Sequence, residues 1–352
     1  GEPPDDPLML FSVLYGFWVA NFVAFNGEVI RDLSSRFLAL AEQNTAKEPL
    51  MVAHRLMGSS LLYTGDIAEG REHYDRAIAL YDPAAHRSLA TRFGQDVGVA
   101  ILSYRSLAMW LLGYPEEALR DADDALNNAR QIGQAATLMY ALVQCSHTQT
   151  LCGNHTVAAA QSKEVVALAE EKGSLLFWKS MGTMNQGDIL ALTGHASEAI
   201  DKLTSGIAEF RSTESTIWIP LHLTHLAWAH AKLGQFDDAW RRIDEAKAAA
   251  EGTGEKWCLA EIHRIAGEIT LISPGFDSTQ GEAHFERALV TAREQRAKSW
   301  ELRTAMSMAR LWREQDKRRA YDLLAPIYAS FTEGFDTLDL LQAKALLGSL
   351  IN

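Results

Sequence analysis

The residues best suited to metal or nucleophilic chemistry in this 352-residue chain are its histidines and its three cysteines. His222 and His225 stand three apart and share one face of a helix, with His230 off that face. Two imidazoles at that spacing could share a metal ion. No Cys or carboxylate joins them at an interval that completes the set, so a structural or groove-lining role is the preferred reading. Cys145, His147, Cys152 and His155 place four nitrogen and sulfur groups within eleven residues, which by composition would suit zinc. A helix, however, points positions 145, 147 and 152 in different directions. The cysteines form neither a CxxC nor a disulfide framework and read as buried thiols in a reducing compartment, which places the chain in the cytoplasm. There is no GxxxxGK[ST] phosphate loop, no GxGxxG, no HExxH and no GxSxG. The expectation is a chain with no active site, cofactor or metal of its own.

Charge narrows the partners. The net charge of −12 argues against a phosphate-binding surface, so nucleic acid is not an expected partner. Apolar residues make up 47% of the chain, enough for a continuous core. Residues 8–25 run for eighteen positions without a charge, long enough to cross a membrane. The run stops at Asn26-Gly27-Glu28, and an amphipathic segment follows with Val29, Leu33, Phe37 and Leu40. It therefore reads as the first helix of a pair, without a membrane span. With Gly1 in place of Met and Pro3-Pro4 ahead of the first helix, the start reads as an excised fragment or a tag remnant.

The elements that would position any binding residues are set by a repeat. Glycines at 27, 65, 113, 153, 194, 234 and 275 are separated by 38, 48, 40, 41, 40 and 41 residues. Alanines follow the middle glycines at an offset of five, at 118, 158, 199 and 239. Small residues precede the turns at Gly58, Ser106, Ser146, Gly187, Ala227 and Gly267, where crossing helices exclude anything larger. A period of about 40 residues with this small–Gly–aromatic–Ala pattern marks a tetratricopeptide-type solenoid. The predicted fold is all-α, a right-handed α-α superhelix of about eight helical hairpins. Their predicted spans are roughly 8–45, 49–82, 97–130, 134–172, 175–211, 216–251, 255–295 and 299–331, with a capping helix over 338–350, all in one domain of 1–352. Asp96 is the expected N-cap after a polar insert at 83–96.

In such an array the concave face carries the function. First-helix positions offset from the small midpoint residue give Arg55, Tyr63, Ser103, Tyr140, His147, Met184, Asp188, Thr224, Trp228, Arg264 and Glu268 as candidate ligand contacts. Tyr104 and Trp110, on neighbouring positions, are weaker candidates. Three uses follow. The face could bind a protein segment or another domain of the parent chain. It could close into a small-molecule pocket around Tyr140, Met184 and Trp228. Or Phe17, Trp18 and Phe22 could form an exposed dimer face.

Several stretches carry a family resemblance. His86-Arg87-Ser88-Leu89-Ala90 precedes Gly94-Gln95-Asp96-Val97-Gly98-Val99-Ala100, and Trp110-Leu111-Leu112-Gly113-Tyr114-Pro115-Glu116-Glu117-Ala118 follows. Glu261-Ile262-His263-Arg264-Ile265-Ala266-Gly267-Glu268 is a second match, and Leu323-Leu324-Ala325-Pro326-Ile327-Tyr328 with Phe331-Thr332-Glu333-Gly334-Phe335-Asp336-Thr337 a third. The chain resembles the C-terminal tetratricopeptide-like region of large bacterial signalling proteins that carry a class III adenylate/guanylate cyclase domain and an AAA/STAND-type ATPase module. The resemblance implies a regulatory, non-catalytic role within such a parent. It departs at Gln315-Asp316-Lys317, where that family usually has a turn glycine.

Overall fold

A computed structural model describes residues 7–43, 46–173, 175–275 and 278–351. The first six residues, and Phe276 and Asp277 of the turn expected at 272–279, lie outside the described residues. The described residues form helices and no strands. They pair as α1 (Pro7–Val23) with α2 (Gly27–Glu42) and α3 (Lys47–Thr64) with α4 (Ile67–Leu80). Two short helices, α5 (Pro83–His86) and α6 (Ala90–Phe93), lie in the insert. Then come α7 (Val97–Leu111) with α8 (Pro115–Ile132), α9 (Ala135–Leu151) with α10 (His155–Glu171), and α11 (Leu176–Leu192) with α12 (Ala196–Arg211). The last pairs are α13 (Ile219–Lys232) with α14 (Phe236–Thr253), α15 (Leu259–Ile272) with α16 (Ser278–Glu294), and α17 (Lys298–Trp312) with α18 (Lys317–Ala329); α19 (Leu338–Ile351) follows. These are eight hairpins and a terminal helix, the solenoid that the period implied.

The repeat residues act as their spacing requires. Ala118, Ala158, Ala199 and Ala239 are fully buried. A Cβ on Gly58, Gly187 or Gly267 would come within 2.5–2.9 Å of the Tyr74, Leu203 or Phe285 side chain of the second helix. First helices touch one another from α7 through α9, α11, α13, α15 and α17, and so form the inner wall. Asp96 caps α7 by accepting from the Val99 N–H at 2.9 Å, and its carboxylate also accepts from the Tyr81 hydroxyl. Where the turn glycine is missing, Asp316 caps α18 through the Arg319 N–H at 2.9 Å. Gly27 is a correction. It opens α2 instead of closing α1, and a Cβ there would lie 3.0 Å from the Thr253 carbonyl oxygen, more than 200 residues away.

That distant contact belongs to a seam. The last carbonyls of a helix have no partner within it. Here those of α1, α3 and α7 are met by repeats five places later, and that of α9 by α17, four places later. The Val23 carbonyl accepts from the Thr216 and Ile217 N–H groups at 3.0 and 3.2 Å. The Tyr63 carbonyl accepts from Lys256 and Trp257 at 2.8 and 3.3 Å. The Trp110 carbonyl accepts from the Ser299 hydroxyl, and the Leu151 carbonyl from the Arg303 guanidinium at 2.8 Å. Glu116 and Glu333 exchange contacts across the same line: each carboxylate accepts an N–H, from Gly334 and Glu117 respectively, at 2.7 and 3.0 Å. Ring pairs repeat the register, Phe22 with Trp218, Tyr63 with Trp257 and Trp110 with Trp300, at 6.3, 5.8 and 4.7 Å. One superhelical turn thus closes on the next, and α19, with Leu338 against Gly153, stands where a ninth inner helix would begin.

Candidate ligand cavity inside the superhelix

The inner wall is not an open groove, because α1 lies along it. Tyr15, Trp18 and Phe22 are at one face of α1 and are buried. The Trp18 indole donates to the Ser60 hydroxyl at 3.0 Å, and that hydroxyl donates to the Ile30 carbonyl at 3.1 Å, tying α1, α2 and α3 together. The Phe22 ring meets Tyr63 and Tyr104 edge-on at 5.4 and 5.9 Å. The proposed dimer face is therefore corrected: Trp18 and Phe22 form the interior, and only Phe17 of that trio is exposed. Among the described residues no helix is long and apolar enough to cross a membrane. The insert folds onto α1 as well. The Tyr15 hydroxyl donates to the Phe93 carbonyl at 2.9 Å, and the two rings meet edge-on at 4.8 Å.

Between α1 and the wall a cavity of about 140 Å³ remains. Its floor is Arg55, Tyr104, Tyr140 and Trp218; Val19, Gln95, Phe177 and Trp178 stand at its partly exposed mouth. Arg55 is 2% exposed. Its guanidinium donates to the Tyr15 and Tyr140 hydroxyls at 3.1 and 3.4 Å and, with the Gln95 amide turned to the orientation that satisfies both its atoms, to that amide oxygen at 2.9 Å, while Nε has no partner. All of these partners are neutral. The other deeply placed arginines are paired with acids: Arg105 with Asp75 and Asp121, Arg264 with Glu261 and Glu268, Arg303 with Asp339.

The register of the seam explains why the cavity exists. Trp178, Trp218, Trp257 and Trp300 recur at steps of 40, 39 and 43 residues, each at the start of an inner helix. The last three dock on repeats one to three. Trp178 belongs to repeat five, which has no repeat five places before it, so its ring meets Tyr140 at 6.1 Å at the cavity mouth. Trp218 takes a left-handed backbone, φ 68°, a conformation that costs a bulky residue about 1–2 kcal/mol. Its indole donates to the Tyr63 hydroxyl at 2.8 Å, and its N–H donates to the buried Glu255 carboxyl at 3.0 Å. Glu255 also accepts from the Trp257 indole at 2.8 Å. Burial pushes its carboxyl up to about 8, against the effect of these two donors.

Beyond the cavity the inner wall turns polar. The Asp188 oxygens lie 2.8 and 2.9 Å from Nδ1 of His222 and His225, all three residues being buried. Neither Nδ1 is aligned for a hydrogen bond with these oxygens. Burial alone would raise the Asp188 carboxyl, but the two imidazoles outweigh it and hold it well below the usual range. Burial pushes the His147 imidazole down to about 3, which keeps it neutral. Further along, Arg264 binds both oxygens of Glu261 at 2.7 Å, and Ser307 donates to Glu268 at 2.6 Å.

Of the residues chosen from the sequence, Arg55 and Tyr140 line the cavity, and Tyr63 lies behind it, bonded to Trp218. His147 and Asp188 belong to the histidine cluster, Arg264 and Glu268 to the ion-pair network. Four do not reach the interior space. Ser103 is buried beside the Cys145 thiol. Met184 packs on Gly206 of α12. Thr224 donates to the Pro220 carbonyl within its own helix at 2.7 Å. Trp228 stacks under Lys232, whose ammonium is 4.3 Å from the ring, beside a shallow depression between neighbouring repeats. A pocket around Tyr140, Met184 and Trp228 is thus not formed. Among the described residues no three His, Cys, Asp or Glu side chains come together as a metal site. The residues missed are Tyr15, Trp18, Phe22, Gln95, Phe177, Trp178 and Trp218. Part of the signal for α1 was available: a helix apolar on every side buries at least one face, here that of Tyr15, Trp18 and Phe22, although Met9, Val13 and Phe17 stay exposed.

No family model matches the chain. An uncharacterized protein of Rhizobium meliloti (strain 1021) is 24% identical over 277 residues, 75% of this chain and 25% of that protein. A Mycobacterium tuberculosis (strain H37Rv) protein named as a candidate HTH-type transcriptional regulator is 26% identical over 199 residues, 53% of this chain and 21% of that protein. The chain therefore spans about a quarter of the length of the curated relatives it matches. Among solved structures, a Rap protein complexed with Competence and Sporulation Factor has a TM-score of 0.58 at 12% identity, covering 98% of both chains. The apo quorum sensor NprR from B. thuringiensis has a TM-score of 0.52 at 13% identity, covering 90% of this chain and 86% of that one. Apo RapI has a TM-score of 0.51 at 12% identity, covering 86% and 96%. This chain shares the tetratricopeptide-like solenoid fold of these proteins.

Proposed function

We propose that this chain is a non-catalytic sensor domain of a longer bacterial signalling protein, and that its effector is held inside the sealed superhelix. The observation that carries the reading is the cavity: a solenoid closed on itself by a seam, its groove occupied by α1, keeps a space floored by a guanidinium without a carboxylate partner. An occupant there would touch α1, the insert and repeats two to six together, and could bias how the first repeats seat against the rest. The fold neighbours support sensing, since one is a quorum sensor and another is complexed with Competence and Sporulation Factor. The parent's output is taken from resemblance, as a nucleotidyl cyclase with an ATPase module; the name of the mycobacterial relative favours DNA binding as the alternative output. A second reading, docking of a protein segment or another parent domain, is favoured by the exposed outer stripe of α1, Met9, Val13 and Phe17.

The test uses the full-length parent beside a form lacking this chain, assayed for nucleotide turnover and for DNA binding. The expected result is a changed basal output when the domain is removed. Identical outputs, or nucleotide turnover by this chain alone, would overturn the reading.

A further inference from the structure

We infer that the cavity is a binding site for a small monocyclic carboxylic acid, with the carboxylate on Arg55 and the ring between the aromatic walls. The inference deepens the sensor reading by naming the class of its ligand, and it rests on that reading only for its biological meaning.

A guanidinium stays protonated under all ordinary conditions. Burying one without an anion costs several kcal/mol, and a protein that retains it usually supplies a partner. Every other deeply placed arginine named above has its carboxylate, and Arg55 has two phenols and an amide. Hydroxyls and amide oxygens satisfy donors but leave the charge uncompensated. Its Nε remains without an acceptor although buried. The missing element is an anion, and the planar fork of the guanidinium suits a carboxylate, which accepts two parallel bonds.

The walls define the rest of the ligand. Trp18, Phe22, Trp178 and Trp218 present ring faces and edges, which favour a flat apolar body over a hydrated inorganic ion. The volume sets the size. At about 30 Å³ per water the 140 Å³ space holds about five waters, close to the roughly 150 Å³ cavity that takes benzene, so with its open mouth it admits one ring with a carboxylate and nothing larger. Entry is by the mouth at Phe177 and Trp178, where the aromatic register of the seam begins without a partner. The same chemistry could also arrive as the C-terminal carboxylate of a peptide ending in phenylalanine, with the remainder of the peptide outside the mouth.

The experiment follows tryptophan fluorescence and thermal stability of the whole chain with benzoate, phenylacetate, benzamide, inorganic phosphate and a pentapeptide ending in phenylalanine. An acid of this size should bind with a Kd of about 10 µM to 1 mM. Benzamide and phosphate should bind at least about 30-fold more weakly, as should benzoate to Arg55→Met. Ligand-free Arg55→Met should melt no lower than the wild type, because an unpaired charge has been removed. Should Arg55→Met fail to fold, Arg55→Lys must still prefer benzoate to benzamide, though more weakly than the wild type. Binding of the peptide alone supports the carboxylate site and assigns it to a chain terminus. Failure of every carboxylate at about 10 mM, or equal binding of benzamide, overturns the inference. A parent whose output responds to another occupant of the domain would then leave the sensor reading standing. Acid binding with an unresponsive parent would uphold the site and remove the sensor role.

Discussion

Glu255→Gln tests whether the seam is held by a neutral carboxyl. In the folded chain burial pushes Glu255 up to about 8, from an ordinary value of 4.5. Unfolding releases it to the ordinary value, so between pH 4.5 and 8 the folded state carries a proton that the unfolded state lacks. Stability contributed at this site is therefore greatest at acid pH and declines as pH rises through that window. Each pH unit inside it is worth about 1.4 kcal/mol, which makes the decline between pH 5 and pH 8 about 3 kcal/mol. Glutamine keeps an oxygen to accept from the Trp218 N–H and the Trp257 indole but cannot ionise. The assay is urea unfolding followed by circular dichroism at pH 5, 6, 7 and 8 for both proteins. The readout is how their difference changes with pH, which cancels any fixed packing cost of the amide. The variant should gain on the wild type by about 3 kcal/mol over the series. Parallel curves would refute the reasoning, because they would mean that the Glu255 carboxyl is ionised already or reaches water in the folded chain.

Gly153 and Gly234 both have left-handed backbones, at φ 85° and 74°, but only a Cβ at 153 would strike Leu338, at 2.5 Å. Gly153→Ala should therefore cost about 1–3 kcal/mol more than Gly234→Ala in chemical unfolding, and equal losses would argue against the seam. Trp257→Ala should cost about 3–5 kcal/mol, and Trp178→Ala at the cavity mouth distinctly less, as measured by calorimetry. Asp188→Asn removes the anion facing two buried imidazoles and should cost about 3 kcal/mol at pH 6. Because the Asp188 carboxyl is held below its ordinary 3.8, the stability it contributes is present above that value and lost as pH falls further, which acid unfolding of wild type and variant would show.

The hairpins were legible because their cause is local. A glycine at each turn, an alanine five residues on and a small residue at each crossing leave a periodic trace, and all act within one hairpin. Arg55 and Tyr140 were legible for the same reason, since their offset from Gly58 and Ser146 fixes the wall they stand on. The cavity was not, because it depends on contacts between repeats five places apart. Nothing local distinguishes Trp178 from Trp218, yet one docks on an earlier turn and the other lacks an earlier turn to dock on. The Gly27 reading failed for a related reason: it fits the period as a turn glycine, while its smallness serves the approach of the Thr253 carbonyl. Met184 and Trp228 mark the limit of offset reasoning, since a small rotation of the inner helix carries a side chain into the layer between helices or out to the edge.

The seam also imposes an order of events on a ribosome. The segment that covers Val23 and Ala24 begins at Thr216, 192 residues after Ala24. At roughly 5–20 residues per second, the first helix waits about 10–40 s after it emerges before its far partner exists. Throughout that interval Trp18 and Phe22, buried in the finished chain, have only the early repeats to shelter them. A solenoid that closes on itself gives up the usual freedom of repeat proteins to mature one unit at a time, and its nascent chain is a natural client for a chaperone.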